Sequence, residues 1–571
     1  MRLPDSPARP AARRPSSPEI LALRSEYVRR EYSLRRDVPL AQFICREPAS
    51  TLFDWGGTEK YPLEITYPLP AGSTFATTVD TNNRCGRAYP GLSWSINIAA
   101  IGGVFPYLYE KVNGPADLTV GAFTGLVTWA NPTTAGSPHS VTVRVTDTKG
   151  TSLTTTWSIT VTTSNTFFVD SLNGTAHTSN GGSNSLGNFA NPWRSLKDAW
   201  FGSTANSIVY FRGVGSAYTL TGFSTSDGSV TTGGTAVDNR IHFSSSSRSV
   251  IWLAYPGDPQ PVIDLESNGT NTPAIRPGGP HIHFDGLKFY RGFNKTIWVD
   301  RTSRRGAQFR NCTWDTFGPP VLASSNSAGL MYTALYGSGD PNTQAYGDVI
   351  IGCTFINPVG DMPNFSTELT VAIKQYSWYK GLIQGCTLTQ TLSANVTGWY
   401  EAISQKSNCT QCTVRTCTLT NASFGGNFHT TSVGDNCSVE VCFNYIDFPT
   451  GNGLHYFHSR IETYHGVYTY RNTLRTRMLI DALQAADGPV TLEQNVIVNQ
   501  DGAETPWRFV QDTAIVSQTP LTLNIPSNPS LTPTGVQNLA GASADNIISN
   551  GLLIEPYRTP HLYLRGHEVP T

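Results

Sequence analysis

The feature that most constrains this chain is a short phrase that returns along one stretch, from Gly286 to Asn499. It reads FDGLKF around Leu287, FRNCTW around Cys312, IIGCTF around Cys353, IQGCTL around Cys386 and VRTCTL around Cys417. Weaker copies follow as VCFNYI at Asn444, YRNTLR at Asn472 and LEQNVI at Asn495. Each copy sets a small apolar or amide residue two places before a bulky apolar one: Phe289, Trp314, Phe355, Leu388, Leu419, Ile446, Leu474 and Ile497. A two-residue step puts both side chains on one face of a strand. The copies recur every 23 to 41 residues, the period range of a solenoid that stacks one strand per turn.

The length of 571 residues exceeds one ordinary core, so several domains are expected unless a solenoid absorbs it. The 40 basic and 41 acidic residues nearly cancel, which disfavours nucleic acid as a partner of the whole chain. Abundant Gly, Ser, Thr and Asn with few charges suits strands joined by many turns rather than helical bundles. No run of 18 apolar residues is present, so no membrane span is expected. The opening MRLPDSPARPAARRPSS carries basic residues but no apolar core, and does not read as a secretory signal. Strand sequence this rich in Cys, Asn and aromatics is usually met outside cells. Release by lysis, as for virion proteins, reconciles the two.

Four of the ten cysteines, Cys312, Cys353, Cys386 and Cys417, hold the same slot in successive repeats. They are expected to stack as a ladder of small buried hydrophobes, on parallel strands about 4.8 Å apart. Cys409 and Cys412 begin a CxxC that suggests zinc. Cys417 already belongs to the ladder, however, and no second CxxC follows.

Four regions are expected. Residues 1–60 form an arm with nine arginines and no lysine before position 40. Ser17, Pro18 and Glu19 read as a helix start there, followed by Ile20, Leu23, Tyr27 and Leu34 at helical spacing. Such an arm is expected to anchor the chain on a larger assembly. Residues 61–163 switch to alternating strands, clearest in Ser140 to Asp147 and Thr156 to Thr162. Residues 164–506 hold the solenoid. Residues 507–571, with the connector TPLTLNIPSNPSLTPTG, are expected to cap it or to join neighbouring subunits.

The phrase GAFTGLVTWANP followed by VTVRVTD resembles the immunoglobulin/cadherin-like β-sandwich modules of surface proteins, which commonly serve as spacers. From Thr166 the order FFVDSLNG, NPWRSLKDAW, IVYFRG and VIWLAYPGDPQPVIDL resembles the opening of right-handed parallel β-helix proteins of the pectate-lyase-like superfamily. The resemblance covers roughly residues 166 to 500 and implies a short helix capping the first coil. A cap matters because an open solenoid end is a bare strand edge. The fold expected is therefore mainly β: a right-handed parallel β-helix preceded by a β-sandwich and a short N-terminal helical arm.

Within YEAISQKSNCTQC, residues 400–412, the chain resembles the alginate lyase and chondroitinase B family. That family has an E-x-I-S-x-K-S phrase, matched here by Glu401 and Lys406. The resemblance implies that Glu401 helps hold calcium (Ca2+) and that Lys406 abstracts the proton alpha to a uronate carboxylate. A lysine base needs a depressed pKa, which a cation or desolvation supplies, and the cation acidifies the proton removed. Where the family has Arg-His-Gly, this chain reads Ser432-Val433-Gly434. His429, three residues earlier, is the remaining catalytic candidate, at a shifted register. The alternative is a glycoside hydrolase, for which two convergent carboxylates are needed; the acids in the coils are Asp361, Glu368, Glu401, Glu462 and Asp481.

Two further groups are candidates for binding. GNGLHYFHSRIETYHG contains His455, His458, Arg460, Glu462 and His465. Its HxxH step splits two histidines across opposite strand faces, so a polar, cationic strip for glycan contact is the better reading than a metal site. Trp378 and Tyr379, Trp399 and Tyr400, and His455 and Tyr456 fall in loops or strand ends of neighbouring coils. Rings exposed there would stack on sugar faces, whereas rings turned inward would roof the apolar stack.

An arm, a β spacer and a long β-helix together resemble a bacteriophage tailspike or virion fibre. The resemblance is architectural. It implies a virion-attached homotrimer that binds host cell-surface polysaccharide, with possible depolymerisation, and meets other virion proteins through its arm. A free extracellular lyase on a uronate polymer and a purely structural fibre are the alternatives.

Overall fold

The computed structural model describes residues 59–68 and 83–176 and, with gaps between rungs, the strands and corners from 186 to 499. It also describes short strands at Trp507–Phe509, Leu523–Asn524 and Ile547–Asn550. The N-terminal arm with its expected helix, His429, His458, Arg460 and Glu462 lie outside the described residues.

The repeat builds a parallel β-solenoid. One 12-stranded sheet runs from Thr166–Val169 to Leu523–Asn524, and its strands pair in parallel along its whole length. A second, branched sheet supplies the other two sides of each rung. The bulky residues of the repeat fall into one register: Phe289, Trp314, Phe355, Leu388, Leu419, Ile446, Leu474 and Ile497 are successive Cα partners. Phe284, Phe309, Ile350, Ile383, Val414 and Val441 form the facing column. The two columns meet in one apolar core. Rings stack along it, Phe284 on Phe309 at 5.2 Å and Trp314 on Phe355 at 4.5 Å, which adds to the burial of their area.

The corner between the two columns explains the repeated phrase. The residue before the small slot sits in the left-handed region at Gly286, Asn311, Gly352, Gly385, Thr416 and Phe443, with φ from 51° to 73°. That conformation redirects the strand, and Gly or Asn adopts it at least cost. The ladder continues through the turn, because Asn311, Gly352 and Gly385 donate their N–H to Ile351, Gln384 and Arg415 on the next rung. Inside the corner Cys312, Cys353, Cys386 and Cys417 are free and buried. Asn444 and Asn472 take over the slot. The Asn444 side chain accepts from the Cys417 N–H at 2.8 Å and donates to Val414 O and to Asn472 Oδ1, both at 3.0 Å.

The first rung is closed by the α-helix Leu196–Gly202, which begins with a capping box between Ser195 and Asp198. Leu196, Ala199 and Trp200 join the core beside the fully buried Trp193. This covers the end strand that would otherwise offer an unpaired edge.

The described residues of 61–68 and 83–163 fold into small, mostly antiparallel sheets. His139–Thr146 pairs with Ser152–Val161 along its whole length, and Trp94–Asn97 pairs with Leu126–Trp129. A spacer would leave the solenoid's flank free. Instead this N-terminal β-unit shares its core with Val349, Ile351 and Leu382, on the outer face of the 12-stranded sheet. Leu92 packs with Phe168, Ile208, Tyr210, Ile251 and Leu253 further along the same face.

Polar contacts fix the seam. Arg415 is completely buried and donates to Ala100 O at 2.7 Å, Tyr107 Oη at 3.0 Å and Gln384 Oε1 at 2.8 Å. Its guanidinium lies over the Phe105 and Tyr107 rings at 4.7 and 4.8 Å. Burial pushes the Tyr107 hydroxyl pKa up, so it stays protonated and donates to Gly102 O at 2.5 Å. Arg310 donates to Ser95 O at 2.9 Å, and Tyr346 to Glu64 at 2.7 Å. Phe443 meets Phe105 at 5.0 Å from its strained corner.

Two outcomes test these features. Asn444→Ala orphans a buried N–H and a buried carbonyl, and is expected to cost about 2–4 kcal/mol in chemical denaturation. Arg415→Ala is expected to cost about 3 kcal/mol at the seam, so that calorimetry resolves an earlier transition for the N-terminal unit than in the parent chain.

Candidate functional site

The third side of the solenoid carries most of the candidates. Strand Trp399–Lys406 contains four of them, Trp399, Tyr400, Glu401 and Lys406. Ile403 is in the core, in register with Ile373 and Phe424. Gln405 is also buried and donates to Gln375 Oε1 at 2.9 Å, extending an amide step between rungs. Residues 404 and 406 have the opposite parity to these two.

Two columns of that parity run down the sheet. Lys374, Ser404, Gly425, His455 and Asp481 are successive Cα partners. Two residues along each strand, so do Tyr376, Lys406, Asn427 and Phe457. Lys374 and Ser404 are fully buried. At the centre, Gly425 interrupts the first column with a position that carries no side chain, and Gly426 does the same on the opposite parity. Glycine within a strand marks a place where another backbone or a ligand comes close. The register thus sets Lys406 two strands and two residues from His455 on the same strand parity, and makes Asp481 the Cα partner of His455. Their separation of 49 positions in the chain hides this from the sequence. The glycine pair was the signal that could have revealed it. Tyr456 falls one residue on, in register with Gly426 and Ala482.

Glu401 does not share this order. It falls in the register shift between Trp399 and Ile403, outside the regular ladder. Among the described residues no group of three or more His, Cys, Asp or Glu stands together as a metal site. The carboxylate of Glu401 is outside the described side chains, and no chemical step is routed through calcium.

Trp378 requires correction. It was a candidate for stacking on sugar, but its ring is completely buried within the solenoid core. Gly381 lies directly against that indole, where a Cβ would come within 2.3 Å of the ring. The W-Y-K-G spacing is therefore a packing signature. Tyr379 is half-buried at a different corner, 5.5 Å from Tyr346 and beneath Lys380 at 5.1 Å. Lys380 in turn pairs with Glu64 of the N-terminal unit. Both rings belong to the core and seam rather than to the Lys406 patch.

Cys409 and Cys412, the start of the CxxC, are buried free thiols; Cys412 Sγ lies 3.1 Å from Trp378 O. Burial raises the Cys353 thiol well above its usual range, with Cys312 and Cys386 beside it adding to the shift. The Cys353 thiol is therefore a poor nucleophile.

No protein-family model, no curated protein and no solved structure matches this chain. The functional reading therefore rests on the register and chemistry of its own residues.

The eight buried thiols give a direct check. Under native conditions a thiol reagent is expected to titrate at most two of the ten cysteines, and all ten after denaturation. Rapid native reaction of four or more would contradict the corner ladder.

Proposed function

We propose that this chain is a spike- or fibre-like protein that binds acidic cell-surface polysaccharide along the third side of its solenoid, around Gly425 and Gly426. The observation that carries this reading is the asymmetry of the flanks. The outer face of the 12-stranded sheet is occupied by the chain's own N-terminal unit. The third side carries Lys406, His455 and Asp481 on one strand parity around Gly425. A repeat of about 4.8 Å per strand is close to the length of one sugar unit, so successive rungs can meet successive units of an extended glycan. Lysines recognise uronate carboxylates as point charges, and neighbouring amides and hydroxyls bind sugar hydroxyls.

In this reading the solenoid is a right-handed β-helix of the pectate-lyase-like type, and residues 61–163 are an immunoglobulin- or cadherin-like sandwich. What supports the second assignment is a pair of mostly antiparallel sheets whose Trp94 and Trp129, from one, and Val143 and Trp157, from the other, share one core. The fitting setting is the surface of a phage particle, with a homotrimer attached through the arm and host polysaccharide as ligand.

Depolymerisation is the extension of this reading that the patch favours. Lys406 is proposed as the base, and His455, the Cα partner of Asp481, as the group that delivers a proton to the leaving oxygen, the role left open by the missing arginine. Glu401 and a calcium ion would neutralise the uronate where the lyase resemblance holds.

The test is product formation on a panel of acidic bacterial polysaccharides, following reducing ends and unsaturated-uronate absorbance together. Both signals are expected, with a fall of at least about 100-fold in Lys406→Ala, the usual scale for loss of a general base. Reducing ends without the absorbance would assign a hydrolase. Retention of polysaccharide without product would leave binding alone, and neither retention nor product would overturn the reading.

A further inference from the structure

The seam between the N-terminal unit and the first rungs contains buried polar groups that the docking contacts leave unused. His283 and Gln308 are Cα partners on adjacent strands, of opposite parity to the core residues Phe284 and Phe309. Both are completely buried, and neither His283 ring nitrogen nor either Gln308 amide atom has a hydrogen-bond partner. Native structures seldom bury such groups without a protein, water or ion partner.

Two guanidinium groups stand beside them. Arg84, in the 3-10 turn Arg84–Gly86, is 3% exposed. It donates once, to Arg87 O at 3.2 Å, and lies over the Trp94 and Tyr210 rings at 5.6 and 5.9 Å. Among the described residues no carboxylate pairs with it. Arg310 pairs with Asp285 at 3.1 Å and donates to Ser95, which engages its terminal nitrogens. The Nε of each arginine has no partner. Burial, with Arg310 and Arg84 close by, holds the His283 ring well below its usual pKa and therefore neutral.

Of the Arg84 and Arg310 guanidinium groups, only Arg310 has a carboxylate partner among the described residues, Asp285. A buried charge without a counterion is strongly unfavourable. Ordered water would satisfy hydrogen bonds and leave that charge unbalanced. The open donors are two Nε–H groups, the Gln308 amide and one His283 N–H. The open acceptors are the Gln308 oxygen and the second His283 nitrogen, and the Tyr210 and Tyr67 hydroxyls, buried and unpartnered near Arg84 and Arg310, can donate or accept. The missing partner is thus small, negatively charged and able to accept several N–H bonds.

We propose that a monovalent inorganic anion of chloride size occupies this cluster between Arg84, Arg310, His283 and Gln308, as the counterion that locks the N-terminal unit onto the solenoid.

The test uses the full chain, with chloride exchanged for gluconate at constant ionic strength. An ion bound only by the docked state stabilises it by mass action. The melting temperature is therefore expected to rise with chloride from about 5 to about 200 mM, and the dependence to vanish in Arg84→Met. Should Arg84→Met not fold, Gln308→Leu keeps every charge, and is expected to raise the half-saturating chloride about tenfold through loss of one contact. In a bromide-soaked crystal, an anomalous peak is expected within hydrogen-bond distance of Arg84 Nε. Melting that is indifferent to the anion at constant ionic strength, or a cluster filled by water with no bromide peak, would overturn the proposal.

Discussion

Every rung of the solenoid must stack on the last without slipping by one residue, and the remainder of the structure depends on that register. A slip of one would turn Phe289, Trp314 and Phe355 out of the core and bring their polar neighbours in. Three devices at one corner prevent it. The left-handed residue fixes where the strand bends. The slot behind it holds Leu287 in the first copy and a Cys or Asn in the later ones. The bulky residue two places on then has one available position. The Cys rungs hold this by packing, whereas Asn444 and Asn472 hold it with directional hydrogen bonds to the rung before.

Correct stacking also aligns everything on the outside. Ile251, Val349, Ile351 and Leu382 become an apolar band only because their strands are in register, and the N-terminal unit packs on that band. Arg310 and Arg415 project from it to reach backbone carbonyls of the unit. The same alignment sets Lys406, His455 and Asp481 on one strand parity of another side. One side of the solenoid is thus committed to internal docking, while another accumulates polar groups of mixed charge.

The stacking was legible in the sequence because a two-residue step survives substitution: Phe, Trp, Leu and Ile serve equally in the bulky position. The corner conformation was only half legible. Gly286, Gly352 and Gly385 advertise it, but Thr416 and Phe443 do not, and Phe443 tolerates the strain in contact with Phe105. Docking was not seen, since Arg310 and Arg415 lie 215 and 315 residues from their partners. A local sign existed in strands such as IVYF, VIWLA and VII, which are apolar on both parities, as strands buried on both faces are. Trp378 was misplaced for a related reason. An aromatic in a short connection reads the same whether it roofs the core or faces solvent, and Gly381 against its ring was the distinguishing mark. Grouping Lys406 with His455 required the strand pairing itself.

The central claim is that the solenoid offers ligand one side, the one around Gly425 and Gly426. Hydrogen exchange of the full chain, compared with and without saturating polysaccharide, addresses it most directly. The account predicts new protection in Trp399–Lys406, Ala422–Asn427 and Tyr445–Phe457, with exchange in the docked N-terminal unit unchanged. Protection confined to the N-terminal unit or to the strands of the 12-stranded sheet would contradict it.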